Sequence, residues 1–366
     1  MINVALVGCG RIAARHSDLL GRNQISGARL AAVCDLVAQK AQSIGDEHRV
    51  PWFTDMDAMI GEMGKYIDVV AVLTPSGLHA EHVLHLAEYK KHLIVEKPMA
   101  LRTDDADAMI RACDRRGVRL FVVMQNRLNV PVQRLRTALE SGRFGKCVLG
   151  TVRVRWCRTQ AYYDQDPWRG TCAYDGGVLA NQACHHIDLL NWMMGDVQCV
   201  FAKGIHALAE TEVEDTAIAT LKFKSGALGV IEATTATRPR DIEASISILG
   251  ESGAVEIGGA AVNRIKTWQF TKELPEDSET VEKYSENPRD VYGFGHKAYY
   301  QNVVDCLTNG AVPRVDGVEG RKSVQLISAL YESIATGREV HLPDHARHSQ
   351  LRIRKSRNLE AVPLHA

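Results

Sequence analysis

The sequence predicts an α/β protein in two parts: an N-terminal doubly wound parallel sheet, then an α+β domain with an open, mostly antiparallel sheet. Three observations carry this reading. From Asn3 to Val123, apolar strand runs alternate with helical stretches across short connections, as parallel strands joined by crossover helices require. The first strand run ends in Gly8-Cys9-Gly10-Arg11-Ile12-Ala13, and a helical stretch follows at once. After Gln125 the pattern changes to strand runs joined by Gly-containing turns. The expected divisions are 1–122, 123–345 and a basic tail at 346–366 that carries Arg347, Arg352, Arg354, Lys355 and Arg357.

The run Asn3-Val4-Ala5-Leu6-Val7 is the opening strand, and GxGxxA after it has the context of a dinucleotide-binding (Rossmann) turn. Gly8 allows the tight turn, Gly10 lets backbone approach a pyrophosphate, and Ala13 permits close helix packing. The N–H groups around Arg11 and Ile12 then face the anion. A second strand, Arg29 to Cys34, carries Asp35 at its tip. A carboxylate there suits a free ribose 2′-hydroxyl and repels a 2′-phosphate, so NAD is expected over NADP, with Arg11 moderating the preference. A helix over 37–47, a strand at Trp52-Phe53 and a helix over 56–63 continue the alternation.

The strand Ile67 to Leu73 stops at Thr74-Pro75-Ser76. Ligands sit at strand carboxyl ends in open parallel sheets, so Thr74, Pro75 and His79 are expected to line the cofactor. His79 has the alternative of opening a helix over 80–89 without touching ligand. His92-Leu93-Ile94-Val95 is the next strand, and it runs into Glu96-Lys97-Pro98. Pro98 excludes a helical Lys97 and sets its side chain by a stiff peptide bond of either isomer. Glu96 and Lys97 therefore stand at the same sheet edge, beside the expected nicotinamide. Thr103 as N-cap, a helix to Arg116 ended by Gly117, and a strand over 118–123 complete the unit.

In the second part, a helix over 131–141 precedes strands over 147–156, 199–207, 215–223, 227–236, 243–250 and 254–257. Lys224-Ser225-Gly226-Ala227 and Gly250-Glu251-Ser252-Gly253 read as hairpin turns in one sheet. Its apolar face needs a cover, from the N-terminal helices, a partner subunit or both, so a homodimer or homotetramer through this sheet is expected. Between the first two strands, Gly176-Gly177 opens a predicted helix on which Asn181, His185 and Asp188 recur at i, i+4 and i+7 and share a face. His185 has the chemistry of a proton acceptor, and Asp188, one turn along, is placed to orient it.

Composition narrows the partners. Lysine plus arginine equals aspartate plus glutamate at 44 each, which points away from nucleic acid and anionic membranes and towards a small molecule. No apolar run approaches ~20 residues and the chain enters a strand at once, so a cytoplasmic protein is expected. The nine scattered cysteines contain no CxxC pair and read as buried thiols, with neither disulfides nor a metal site.

Together, Gly8-x-Gly10-x-x-Ala13, Glu96-Lys97-Pro98 and Gly176-Gly177 followed by His185-x-x-Asp188 resemble the Gfo/Idh/MocA oxidoreductases over nearly the whole chain. The resemblance implies NAD in the Rossmann domain, an open C-terminal sheet used for oligomerisation, a sugar or cyclitol substrate, and Lys97 and His185 as the catalytic pair. Many members carry aspartate where this chain has Asn181, which removes one carboxylate from the usual lysine/aspartate/histidine set. Tyr162-Tyr163, Trp168-Arg169-Gly170-Thr171 and Asn181-Gln182-Ala183 are similar to the branch containing WlbA-type UDP-N-acetylglucosaminuronate 3-dehydrogenases, which implies oxidation at C3 of a nucleotide-sugar uronate. Expected substrate contacts are Gln125, Asn126, Arg127, Tyr163, Trp168, Arg169, Asn181 and His185, an arginine being a natural partner for a uronate carboxylate. The alternatives are an inositol or glycoside dehydrogenase and a binding protein that senses NAD without hydride chemistry. Either His185 or Lys97 can accept the hydroxyl proton, with His185 preferred as base and Lys97 as electrostatic partner.

Overall fold

The structure is a computed structural model that describes residues 1–259, 261–285, 293–342 and 351. The tail expected over 346–366 lies outside the described residues apart from Leu351. The N-terminal half runs β1 (Ile2–Val7), α1 (Ala13–Gly21), β2 (Ala28–Cys34), α2 (Ala38–His48), β3 (Trp52–Phe53), α3 (Met56–Met63), β4 (Val69–Val72), α4 (His79–Ala87), β5 (His92–Val95), α5 (Thr103–Arg116) and β6 (Leu120–Val122). These strands form one parallel sheet in the order β3-β2-β1-β4-β5-β6. The order reverses between β1 and β4, and the crevice at that switch point is where a doubly wound sheet binds its ligand. Thr103 is the first residue of α5, not its cap, and Gly117 ends the helix at φ 66°.

The rest of the chain adds α6 (Val130–Glu140), β7 (Cys147–Arg155), α7 (Gln160–Tyr163), α8 (Cys184–Met194), β8 (Val197–Ile205), β9 (Thr216–Phe223), β10 (Leu228–Thr234), β11 (Glu243–Gly250), β12 (Gly253–Gly258), β13 (Arg264–Phe270), α9 (Asp277–Lys283), α10 (Gly295–Thr308), α11 (Gly317–Thr336) and β14 (Val340–His341). The eight strands pair as β13-β12-β11-β7-β10-β9-β8-β14. Both expected hairpins are present, β9–β10 and β11–β12. β7 lies between them, antiparallel to β11 but parallel to β10, because its chain enters the sheet before either hairpin is made.

One face of this sheet is covered by α6, α8 and α11, so the expected cover by N-terminal helices is corrected: the domain supplies its own. The sequence reading did not find α11, although its signals are present. Asp316 caps it by accepting the Glu319 N–H at 2.9 Å, and Gly337 terminates it at φ 67°. α10 returns to the N-terminal sheet, where Tyr299, Tyr300, Val303 and Val304 pack with Leu6, Leu19, Leu30 and Phe121. It occupies the position of the helix that would otherwise follow β6. A Thr103–Ser328 hydrogen bond and an Arg321–Asp107 ion pair join α11 to α5, so both sheets belong to one packed unit. Among the described residues no helix is long and apolar enough to cross a membrane, and all nine cysteines are free thiols.

Candidate active site

The cofactor side is built by backbone. Gly8, at φ 97°, brings its turn against the end of β4 so closely that a Cβ would stand 2.8 Å from the Leu73 carbonyl carbon. Gly10 is the opposite case: a Cβ there would meet no atom of the described residues within 4 Å, which leaves open space beside Arg11, Ile12 and the start of α1. Asp35 accepts the Cys9 N–H at 2.7 Å and the Val37 N–H at 2.8 Å, fixing a carboxylate at the rim of that space. An open cradle, a helix N-terminus and a placed carboxylate fit a dinucleotide with a free ribose hydroxyl. The half-buried Thr74 and Pro75 end the neighbouring strand at the same crevice.

His79 is a correction. Its ring is 1 % exposed, with Nδ1 and Nε2 each 2.8 Å from a carbonyl oxygen, of Pro98 and Thr74 respectively. Burial lowers its pKa, against the two carbonyl contacts, each of which calls for an N–H on the ring. It staples two strand-end loops together and has no free edge for a cofactor.

The carboxyl end of β5 delivers Glu96 and Lys97, and the Lys97–Pro98 bond is cis. Glu96 is buried yet ionised. Burial opposes its charge, but the His16 Nε2 contact at 3.1 Å and the charges of His16, His296 and Lys97 outweigh that and hold its pKa at about 2. It also accepts the Lys97 N–H at 2.9 Å, while His16 is itself held by the Tyr300 hydroxyl at 2.6 Å. The backbone of Lys97 is thus anchored from α1 and α10. Its ammonium donates to Asn181 O at 3.0 Å and to Asn181 Oδ1 at 3.4 Å. An ammonium has three donors, so one remains for a substrate oxygen.

His185 sits in the first turn of α8 with its Nε2 3.1 Å from the Gln125 side-chain amide, and its buried Nδ1 has no partner among the described residues. Burial, and then the nearby Lys97 charge, drive its pKa well below 6.5. With the Gln125 amide donating to Nε2 the ring proton lies on Nδ1, so the nitrogen that can accept a proton from an alcohol is Nε2, once a substrate hydroxyl takes the place of that amide.

Several expected contacts resolve differently. Asn181 is not on the helix: α8 begins only at Cys184, and the residues before it form a turn in which the Asn181 N–H bonds Gly177 O at 2.9 Å and the Ala183 N–H bonds Val178 O at 2.8 Å. Asp188 does not orient His185. It accepts both Arg127 Nε and Nη2 at 2.7 Å and the Ser323 hydroxyl at 2.5 Å. Arg127, 2 % exposed, also donates to Glu319 at 3.0 Å and packs over Trp192, so it is a buried structural cation and not a substrate anchor. Arg127→Ala leaves Asp188 unpaired and is expected to destabilise the protein by about 3–5 kcal/mol in denaturant unfolding. Tyr163 is likewise withdrawn, its hydroxyl 3.0 Å from the Thr235 hydroxyl and its pKa pushed up to about 12 by burial. Asn126 is buried beside Gln125. Trp168 stays half-buried, and the Arg169 side chain, 9 % exposed, donates to Asp166 and Tyr162 and stacks on Trp168.

Sequence reasoning missed the support beneath Asn181. Glu214 accepts from Leu179 N–H at 3.1 Å and from the Tyr331 hydroxyl at 2.9 Å, and Tyr331 in turn accepts the Gly177 N–H at 2.7 Å. Burial raises the Glu214 pKa to about 7, so the fold favours its neutral form. The stability it contributes is full below about pH 4.3, where the unfolded group is also protonated. That contribution falls as pH rises through about 7. Glu214→Gln should therefore gain in melting temperature relative to wild type between pH 5 and 8, with the difference vanishing in acid.

Residues 2–124 match the family described as "Oxidoreductase family, NAD-binding Rossmann fold", and residues 136–342 match "Oxidoreductase family, C-terminal alpha/beta domain", both Gfo/Idh/MocA. The WlbA dehydrogenase from Bordetella pertussis, solved with NADH and UDP-GlcNAcA, is 39% identical, with 93% of this chain and 99% of that one covered at a TM-score of 0.86. The WlbA dehydrogenase from Chromobacterium violaceum, solved with the same two ligands, is 40% identical over 93% of this chain and 96% of that one at a TM-score of 0.87. The myo-inositol 2-dehydrogenase of Thermotoga maritima is 28% identical, over 94% of this chain and 99% of its own length.

Proposed function

The chain belongs to the Gfo/Idh/MocA oxidoreductases, and from that premise we propose that it is an NAD-dependent dehydrogenase oxidising the C3 hydroxyl of a UDP-N-acetylhexosaminuronate. The observation that carries the reading is that Lys97, at the carboxyl edge of the parallel sheet and bonded to Asn181, is near enough to the buried His185 for its charge to help lower the pKa of that ring. Identity of 39–40% to two WlbA dehydrogenases solved with UDP-GlcNAcA supports the substrate class. Gly8, Gly10, Arg11, Ile12, Asp35, Thr74 and Pro75 would hold the dinucleotide, with Glu96 setting Lys97 beside it. The nicotinamide, when bound, takes the hydride from the carbinol carbon.

His185 takes the hydroxyl proton. The third Lys97 donor bonds the oxygen as negative charge grows on it, an interaction stronger in the transition state than in the ground state. Gln125 holds the His185 Nε2 lone pair until the substrate hydroxyl replaces it, and Arg169, which would exchange Asp166 for the substrate, is with Trp168 the candidate for the uronate carboxylate. The test is a panel of UDP-uronates, free hexoses, glycosides and inositols, read at the NADH absorbance band, with NMR to identify the oxidised carbon. Reduction of NAD by UDP-GlcNAcA with a 3-keto product is expected. Turnover of inositols alone would replace the substrate, and no turnover with any sugar would leave a binding protein.

The other sheet face is proposed as the oligomer contact. Leu228, Val230, Ile218 and Phe201 stand exposed on adjacent strands, flanked by the Arg155–Glu232 ion pair, and a patch of this kind marks an interaction surface. Leu228→Glu is expected to lower the sedimenting mass to that of one chain. A variant sedimenting like wild type would exclude this face.

A further inference from the structure

We propose that Asp175 is a positioning residue for the reaction: it fixes Asn181 with both oxygens towards the Lys97 ammonium and supplies, from behind, the negative charge that position 181 lacks. The inference rests on Lys97 acting as proposed above.

The geometry leaves Asn181 one orientation. Asp175 is 1 % exposed, its Oδ2 accepts the Gly170 N–H at 2.7 Å, and its Oδ1 accepts the Asn181 side-chain amide. With its Nδ2 committed to a carboxylate, Asn181 can present only Oδ1 to Lys97, next to its own backbone carbonyl. An amide lacking that acceptor can turn over and set an NH2 group against the ammonium. The Lys97 bond to Oδ1 would then be lost, and the backbone carbonyl of Asn181 alone would aim the ammonium.

The carboxylate is held in place from both domains. Gly77, in the loop after β4, donates its N–H to Tyr174 O at 2.9 Å, and a Cβ on it would stand 2.1 Å from Ala173 O. The loop carrying Asp175 is therefore seated backbone to backbone on the loop that carries Thr74. The groups facing Asp175 are the Gly170 N–H, the Asn181 amide, Arg169, Lys97 and the Tyr163 ring. Burial pushes its pKa up to about 6 against the pull of those donors and cations, so the group is ionised at neutral pH and protonated in mild acid. A buried carboxylate without a cation in contact is costly, and Lys97, reached through Asn181, gives the charge a purpose.

The test compares Asp175→Asn, Asn181→Asp and the double swap. In the swap, the new amide at 175 accepts from Gly170 and donates to the new carboxylate at 181, so every hydrogen bond is restored with the charge moved next to Lys97. Asp175→Asn is expected to lower kcat by about 10–100-fold with KM and NAD affinity within about threefold, the mark of an interaction made in the transition state. Wild-type kcat should fall with decreasing pH through about 6, the value to which burial raises Asp175, and the variant should lose that limb. The swap should recover most of kcat, with the limb moved to lower pH. A second readout needs no turnover. Acylation of Lys97 by a water-soluble reagent, followed by mass spectrometry, should be faster by about 3–10-fold in Asp175→Asn, because the ammonium loses one of its two fixed acceptors and the carboxylate behind it. An unchanged pH limb, a swap no better than folded Asp175→Asn, or an unchanged Lys97 labelling rate would each overturn the inference. Absence of turnover by wild type would count against the function, and the labelling would still decide the inference.

Discussion

Lys97→Ala and His185→Ala should each lower kcat by about 10²–10⁴-fold, the range for a positioned proton acceptor or an oxyanion-directed donor, while both proteins remain folded and bind NAD. The expectation follows from how little else these side chains do. Among the described residues the Lys97 ammonium bonds only Asn181 oxygens, and the His185 ring is hydrogen-bonded only to the Gln125 amide. The anchoring of the segment falls to the Glu96 carboxylate, His16 and Tyr300, which both variants keep. The two losses should also fail to add: once the base is gone, a donor aimed at an oxygen that keeps its proton contributes little. A stopped-time assay of both single variants and the double variant, with NAD binding and melting temperature measured alongside, reads all of this.

Gly10→Val should raise the Kd for NAD by about 100-fold or more, at least ~2.7 kcal/mol, without loss of stability. A Cβ at Gly10 meets no atom of the described residues within 4 Å, so a side chain there grows into the space a pyrophosphate would take. Gly8→Ala is the control with the opposite signature. Its Cβ would press on the Leu73–Thr74 backbone from a left-handed φ of 97°, so folding suffers first. Equal stability loss in the two variants would mean that the space over Gly10 is not the dinucleotide cradle.

What the sequence disclosed, and what it hid, follows the range of the interactions. GxGxxA, the Glu96-Lys97-Pro98 corner and His185 are readable because their meaning is local: a turn, a strand end, a helix face. Arg127 was misread for the opposite reason. An arginine near a sugar site looks like a carboxylate anchor, but its own partners, Asp188 and Glu319, lie 61 and 192 positions away in sequence. Asn181 was placed on the helix because its spacing to His185 fits one turn. The chain there makes an isolated turn that rests on Glu214, whose approach no local pattern announces. Asp175 carried no signal of its own, since an aspartate before two glycines reads as a turn former. The return of α10 to the first sheet was hidden in the same way: Tyr299 and Tyr300 pack against strands laid down nearly three hundred residues earlier.

The most direct measurement is a crystal structure of the protein with NADH and UDP-GlcNAcA bound. The account expects the substrate C3 oxygen within hydrogen-bond reach of both the Lys97 ammonium and the His185 imidazole, with C3 against the nicotinamide ring. A substrate whose reacting carbon sits away from the ring, or whose C3 oxygen meets only one of the two side chains, would contradict it.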